Sequence, residues 1–170
     1  TPAPSIAALR EPPFERFLRI EGPTAVTRVY RRASASFYSG SVRDASSIMG
    51  IVPHEFGGVA WLRRGLVPDE TGVLLERMSR NPWQALASRS LEQGYGLRRG
   101  DVLAVSWGDQ GFAEVAIEGF FDYWPTYDPR ARDRAARNLI VVNLDYLRLQ
   151  MAPEPYEVWL RMPAAAPVAP

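Results

Sequence analysis

His54 and Glu55 are the one place in the sequence where an imidazole and a carboxylate are neighbours, and His54 is the only histidine. An imidazole titrates near neutral pH, so the pair invites a hydrolase reading with His54 as general base. Little else in the sequence supports it. Zinc-peptidase chemistry needs a second histidine four residues on, where Gly58 stands. No Gly-x-Ser-x-Gly elbow supplies a nucleophile. The simpler expectation is that His54 caps or hydrogen-bonds a turn opened by Pro53. There are no cysteines, which excludes thiol catalysis, disulfides and cysteine-held metals. Every basic residue is arginine, so Schiff-base lysine chemistry and the Gly-Lys-Ser/Thr phosphate loop are excluded too. No cofactor is expected.

Glu114 and Glu118 are the next candidate pair. Four residues apart in a strand, their Cα atoms would be about 13 Å apart, too far for paired-carboxylate glycoside chemistry. They read as solvated residues of an outer face. Arg130, Arg132, Arg134 and Arg137 form the densest basic cluster, diluted by Asp128 and Asp133. If helical, Arg130, Arg134 and Arg137 line one face and meet lipid phosphates or an acidic partner; a mobile, solvated loop is the commoner outcome.

Phe120-Phe121-Asp122-Tyr123-Trp124-Pro125-Thr126-Tyr127 packs five aromatics into eight residues. One reading is an apolar docking surface or ligand groove, with Tyr123, Trp124 and Tyr127 facing the partner. The other is a strand buried on both sides, which is favoured.

These residues must be carried by a real core. The chain has 170 residues, 46% of them hydrophobic and 23% charged, which suits a folded domain and argues against disorder. The net charge of +1 argues against a nucleic-acid partner. Alternation marks strands at Ala25–Tyr30, at Val102–Trp107 with Leu103, Val105 and Trp107 on one face, at Phe112–Phe120, and at Tyr156–Arg161. Gly108-Asp109-Gln110-Gly111 is the hairpin loop between the second and third of these. Ser36–Gly40 reads as a second strand before a turn at Ser39-Gly40-Ser41. Ser47–Val52 is a buried strand closed by Pro53, and Gln84–Ser88 and Asn138–Val142 are further strands.

Helices are expected over 70–79 with Asp69 as N-cap and Leu74, Leu75 and Met78 inward, and after Ser90 to Gly94 or Gly96. A third runs over Leu144–Met151, capped by Asn143. The sum is an α+β domain: a mixed-sheet core, a C-terminal hairpin region and short flanking helices. Residues 21–162 form the domain, with 1–20 and the proline- and alanine-rich 163–170 as linkers. The most continuous apolar run in the middle of the chain is Leu139–Val142, far short of the roughly 20 residues of a membrane span.

The ordered series Gly96-Leu97-Arg98-Arg99-Gly100-Asp101-Val102-Leu103, a hairpin, then Val115-Ala116-Ile117-Glu118-Gly119-Phe120-Phe121-Asp122 resembles FtsX/MacB-type ABC-transporter permease ectodomains. Tyr123-Trp124-Pro125-Thr126, Leu139–Leu147 and Pro155–Leu160 continue the likeness, firmly from Gly96 and loosely from Val26. Ile48–Phe56 departs from it at Val52, where such permeases often carry Asp. Gly96, Gly100 and Asp101 are the turn-makers of the pattern: glycine permits the tight turn and Asp101 can bond its backbone.

The resemblance implies an extracytoplasmic domain between two membrane helices, on the outer side of the cell membrane and without catalytic residues. It would transmit the motion of a cytoplasmic ATPase subunit or domain, with pairing to a second permease half as an option. The two linkers should then leave one end of a rigid β core, with the segment after Phe121 and the stretch to Arg137 as the adaptable partner surface. Excising Arg130–Ala136 should leave folding nearly intact. The alternative is a secreted module that holds a sugar, peptide or lipid on the 120–127 aromatics, which requires Trp124 and Tyr127 to line a concave surface.

Overall fold

A computed structural model describes residues 13–62, 70–108, 111–151 and 154–164. In chain order their elements are α1 (Glu15–Leu18), β1 (Ala25–Ser39), β2 (Val42–Ile51), α2 (Pro53–Val59), α3 (Thr71–Arg80), β3 (Gln84–Ser88) and α4 (Arg89–Tyr95). β4 (Val102–Ser106), β5 (Phe112–Phe121), α5 (Arg134–Arg137), β6 (Leu139–Asn143), α6 (Leu144–Gln150) and β7 (Glu157–Arg161) follow. The architecture is α+β with one mixed sheet.

The sheet runs β2-β6-β3-β5-β4-β1-β7, and β1 also pairs with β2, so six of the strands close on themselves. Only β2–β6 and β3–β5 are parallel. One apolar cluster draws residues from all six ring strands, among them Phe37, Ile48, Ile140, Ala87, Val115 and Leu103. A cluster shared by every strand of a closed circuit lies inside it. Leu91 of α4 and Leu144 and Leu147 of α6 join that cluster. Gly50 makes room for α6: a Cβ there would meet Leu147 and Leu144 methyls at 3.0 and 3.1 Å.

The second cluster lies on the opposite face of the strands. Val29, Met49, Ile51, Leu86 and Val141 point out of the ring and are covered by Phe56 of α2 and by Leu74, Leu75 and Met78 of α3. Burial of such side chains contributes roughly 1.5–3 kcal/mol each, which holds the two helices on the sheet.

Several elements differ from their sequence expectations for local reasons. β1 is a single strand of 15 residues rather than two, with a register irregularity between Arg32 and Ala35 where the pattern breaks. Ser90 does not cap α4; Ser88 holds the N-cap position, and both hydroxyls instead donate to the Arg137 carbonyl, at 2.9 Å from Ser88 and 2.5 Å from Ser90. Asn143 caps α6 as expected, its side-chain oxygen accepting from the Asp145 and Tyr146 amides. Pro68, the proposed Asp69 cap, and Asp109 and Gln110 of the hairpin loop lie outside the described residues, as do 1–12 and 165–170. Within the stretch read as an N-terminal linker, α1 forms one helical turn, with Phe14 edge-on to Tyr156 at 6.5 Å.

Candidate functional site

Pro53 opens α2, which puts His54 and Glu55 in its first turn. The His54 side chain is 68% exposed, and its Nε2 lies 3.9 Å from Glu55 Oε1, beyond hydrogen-bond range. The other Glu55 oxygen accepts the buried Thr27 hydroxyl at 3.0 Å, so this carboxylate ties α2 to β1. The pair is arranged for docking a helix and not for orienting a base. Among the described residues no group of three or more His, Cys, Asp or Glu side chains is placed to hold a metal.

Glu114 is exposed, but Glu118 is only 7% exposed, which corrects its reading as an outer-face solvated residue. The outward face of β5 is open at Glu114 and covered at Glu118. There Oε1 accepts from Arg77 Nη1 of α3 at 2.6 Å and from Arg99, and Oε2 accepts from Gln84 of β3 at 2.9 Å. One carboxylate thus joins a helix, a strand and the turn before β4. Both oxygens are engaged, three hydrogen bonds in all, so the carboxylate acts as a structural acceptor.

That turn is built by Gly96, Gly100 and Asp101. Gly96 ends α4 at φ 69° and Gly100 sits at φ 92°, both in the left-handed region that favours glycine. Asp101 Oδ2 accepts the Arg98 amide at 2.7 Å, and the Gly100 amide and Asp101 carbonyl both bond Ile117. The turn is stitched to the middle of β5.

The large side chains of the aromatic segment are mostly turned inward. Trp124 is 0% and Tyr127 9% exposed, which corrects their assignment as partner-facing residues. Trp124 stacks on Phe56 with ring centroids 5.4 Å apart and donates its Nε1 hydrogen to Met49 Sδ at 3.2 Å. Tyr127 stands edge-on to Phe121 and donates to the Arg137 carbonyl at 3.1 Å. The segment is not a strand beyond Phe121: β5 ends there, and the chain folds back over the outer cluster. The groove needed by a ligand-binding module on 120–127 is absent from Trp124 and Tyr127; Tyr123 is half-buried.

The arginine stretch is partly ordered. Asp133 caps the short α5, Ala135 is buried, and Arg130, Arg132, Arg134 and Arg137 are exposed. Arg134 pairs with Asp44 of β2 at 3.0 Å. Asp44 also accepts the Tyr95 hydroxyl at 2.7 Å, and Asn138 donates to Tyr95 and to the Ala45 carbonyl. The Tyr95 hydroxyl, the Ala45 amide and Arg134 together hold the Asp44 carboxyl below the usual range, while burial and then Asp44 push the Tyr95 phenol up. This network joins residues 44, 95, 134 and 138, which no local pattern groups together.

At the other extremity of β1 the first and last strands lie side by side. Ala25 pairs with Arg161, and the Thr24 amide donates to the Arg161 carbonyl at 2.7 Å. Arg161 Nη1 reaches the Gly58 carbonyl of α2 at 3.1 Å. An open cleft of about 680 Å³ lies here, lined by Thr24, Ala25, Gly58, Arg161 and Met162 together with Pro163 and Ala164.

No protein-family model and no curated protein matches the sequence. Several solved structures share the fold, among them the following three. The extracellular domain of the noncanonical ABC-type transporter YknZ from Gram-positive bacteria matches with a TM-score of 0.57 at 12% identity, over 89% of this chain and 72% of that one. The periplasmic region of MacB from Actinobacillus actinomycetemcomitans matches at 0.54 and 9% identity, over 89% and 64%. A domain described as that of a permease protein from Porphyromonas gingivalis matches at 0.52 and 17%, over 87% and 60%. The fold is therefore that of extracytoplasmic ABC-permease domains, as the ordered motifs of the sequence imply. This chain spans less than two thirds of the MacB and Porphyromonas chains.

Proposed function

We propose that the chain is the non-catalytic extracytoplasmic domain of an ABC-transporter permease, passing ATPase-driven motion to a substrate or partner outside the membrane. The observation that carries this reading is the pairing of Ala25 with Arg161 at one extremity of β1. Two membrane helices attached through short linkers would pull on one spot.

From there β1 spans about 50 Å at the usual strand rise. It is bonded along the way to β7, then to β2, then to β4. A strand bonded to a neighbour along nearly its whole length carries a displacement, whereas a loop absorbs it. The far end of β1 lies by Asp44 and the Arg134 that it binds. The exposed guanidiniums of Arg130, Arg134 and Arg137, with Tyr123, form the partner-facing surface in this reading. The ATPase subunit or domain acts through the membrane helices, and a second permease half completes the transporter. Glu118 and the His54–Glu55 pair have structural roles only.

The test is the gene on either side of this sequence. Predominantly apolar runs of about 20 residues are expected both upstream and downstream. Their absence on both sides overturns the reading.

A further inference from the structure

The described residues include ten large hydrophobic side chains that stand exposed, and five of them belong to the segments by which the folded chain is entered and left or to the segment following α2. Leu18 and Ile20 precede β1, Leu160 and Met162 end and follow β7, and Trp61, 74% exposed, follows α2. The folding brings these segments together. A Cβ added at Gly22 would meet the Met162 methyl at 3.6 Å, Leu160 is registered opposite Val26, and Gly58, three residues before Trp61, accepts from Arg161. Arg16, Arg19 and Arg161 are exposed on the same segments and outnumber the exposed Glu15 and Glu21 there. An exposed tryptophan among aliphatics and arginines is the composition of a membrane–water interface: the indole sits at headgroup level and the guanidiniums meet phosphates.

We infer that this end of the domain rests on the phospholipid headgroup layer, with Trp61, Ile20 and Met162 dipping into it and Arg19 and Arg161 bound to lipid phosphates. The inference rests on the reading of the chain as a permease ectodomain, which supplies the bilayer at this end. It adds that the domain is braced against the lipid and does not stand clear of it on its linkers. The brace would fix the angle at which β1 leaves the membrane.

The sequence has no cysteine, so one added after Pro170 can couple the whole chain to a maleimide lipid in phosphatidylglycerol/phosphatidylethanolamine vesicles. With brominated acyl chains in those vesicles, tryptophan emission should be quenched. Trp61→Phe should abolish the quenching, and Trp83→Phe, which removes an exposed tryptophan elsewhere, should keep it. The double variant Ile20→Glu/Met162→Glu should also lose it, through repulsion from the anionic lipid. Circular dichroism and unfolding midpoints matching the parent would show that each variant folds. An unquenched parent, or quenching indifferent to Trp61→Phe, overturns the inference. So does sedimentation of the untethered chain as a dimer that Trp61→Phe dissociates, since the face would then belong to a second copy. The permease reading is decided separately by the flanking gene sequence and survives any of these failures.

Discussion

Trp124 lies flat on Phe56, with ring planes 1° apart and centroids separated by 5.4 Å. The stack joins the loop after β5 to α2, and Phe121 and Trp159 complete an aromatic layer around it. The most unusual stretch of the sequence is therefore part of the core.

Replacing Trp124 by alanine should cost about 3–5 kcal/mol in a urea titration, the range for large-to-small aromatic changes in cores. It should also break the covering of Met49 and Phe121. Trp124→Phe should cost clearly less. An alanine variant as stable as the parent would mean that the indole faces a groove after all.

That outcome bears on how much of the fold is visible in the residue order. Alternation locates β4, β5 and β7 because each presents one inward or paired set, such as Leu103 and Val105, whereas β3 and β6 are short apolar runs buried on both faces. Asn143 is legible as a cap because its bond is local. The continuity of β1 is not legible, because Arg31-Arg32-Ala33-Ser34 interrupts the period where the strand is bulged. Glu118 was misread for a different reason: period two gives its face but not what covers that face. Only the return of α3, some forty residues away in sequence, makes it a buried acceptor. Trp124 illustrates the same limit, since Pro125 ends a strand pattern without saying which way the chain turns.

Glu118→Gln should destabilise the domain by about 1–3 kcal/mol, because two guanidiniums then face a neutral amide in a largely covered site. Arg77 and Arg99 are 45% and 61% exposed, and solvent screening keeps the cost at the low end. Arg77→Gln added to Glu118→Gln should cost less than the sum of the two single changes. Strict additivity in that cycle would show that the carboxylate does not hold α3.

Excising Arg130–Ala136, harmless if the stretch were a free loop, should now be destabilising by about 2 kcal/mol or more. It removes buried Ala135, the Asp133 cap and the Arg134–Asp44 pair. Excising Arg130–Arg132 alone should leave the unfolding midpoint almost unchanged. Because the Asp44 carboxyl is held low chiefly by Tyr95 and also by Arg134, its contribution is present at neutral pH and fades as pH falls through the lowered value. The longer excision should therefore flatten the acid limb of the stability profile. Equal midpoints and equal acid limbs for the two excisions would show that the stretch adds nothing to the stability of the fold.

The last prediction uses the missing lysines. With neither lysine nor cysteine present, tyrosine, of which the chain has seven, is the side-chain type whose ordinary titration range lies between about pH 9 and 12. Tyr30 is 2% exposed and donates to Glu154 Oε2 at 2.6 Å. Burial and then the bond to Glu154 push its phenol well above the ordinary value. The folded state therefore prefers the neutral phenol, while an unfolded chain ionises it near pH 10. The stabilisation is complete below that pH and is lost as pH rises above it, at up to about 1.4 kcal/mol per pH unit for this one group. Stability measured in urea should fall steeply above about pH 10. Tyr30→Phe should lower stability at pH 7 by about 1–2 kcal/mol, through the lost bond to Glu154, and should make the alkaline fall shallower. Absorbance at the phenolate band should show Tyr30 ionising only together with unfolding. A Tyr30→Phe variant with the parent's alkaline slope would move the sensitivity to another phenol, with Tyr95, raised by burial and Asp44, the next to replace.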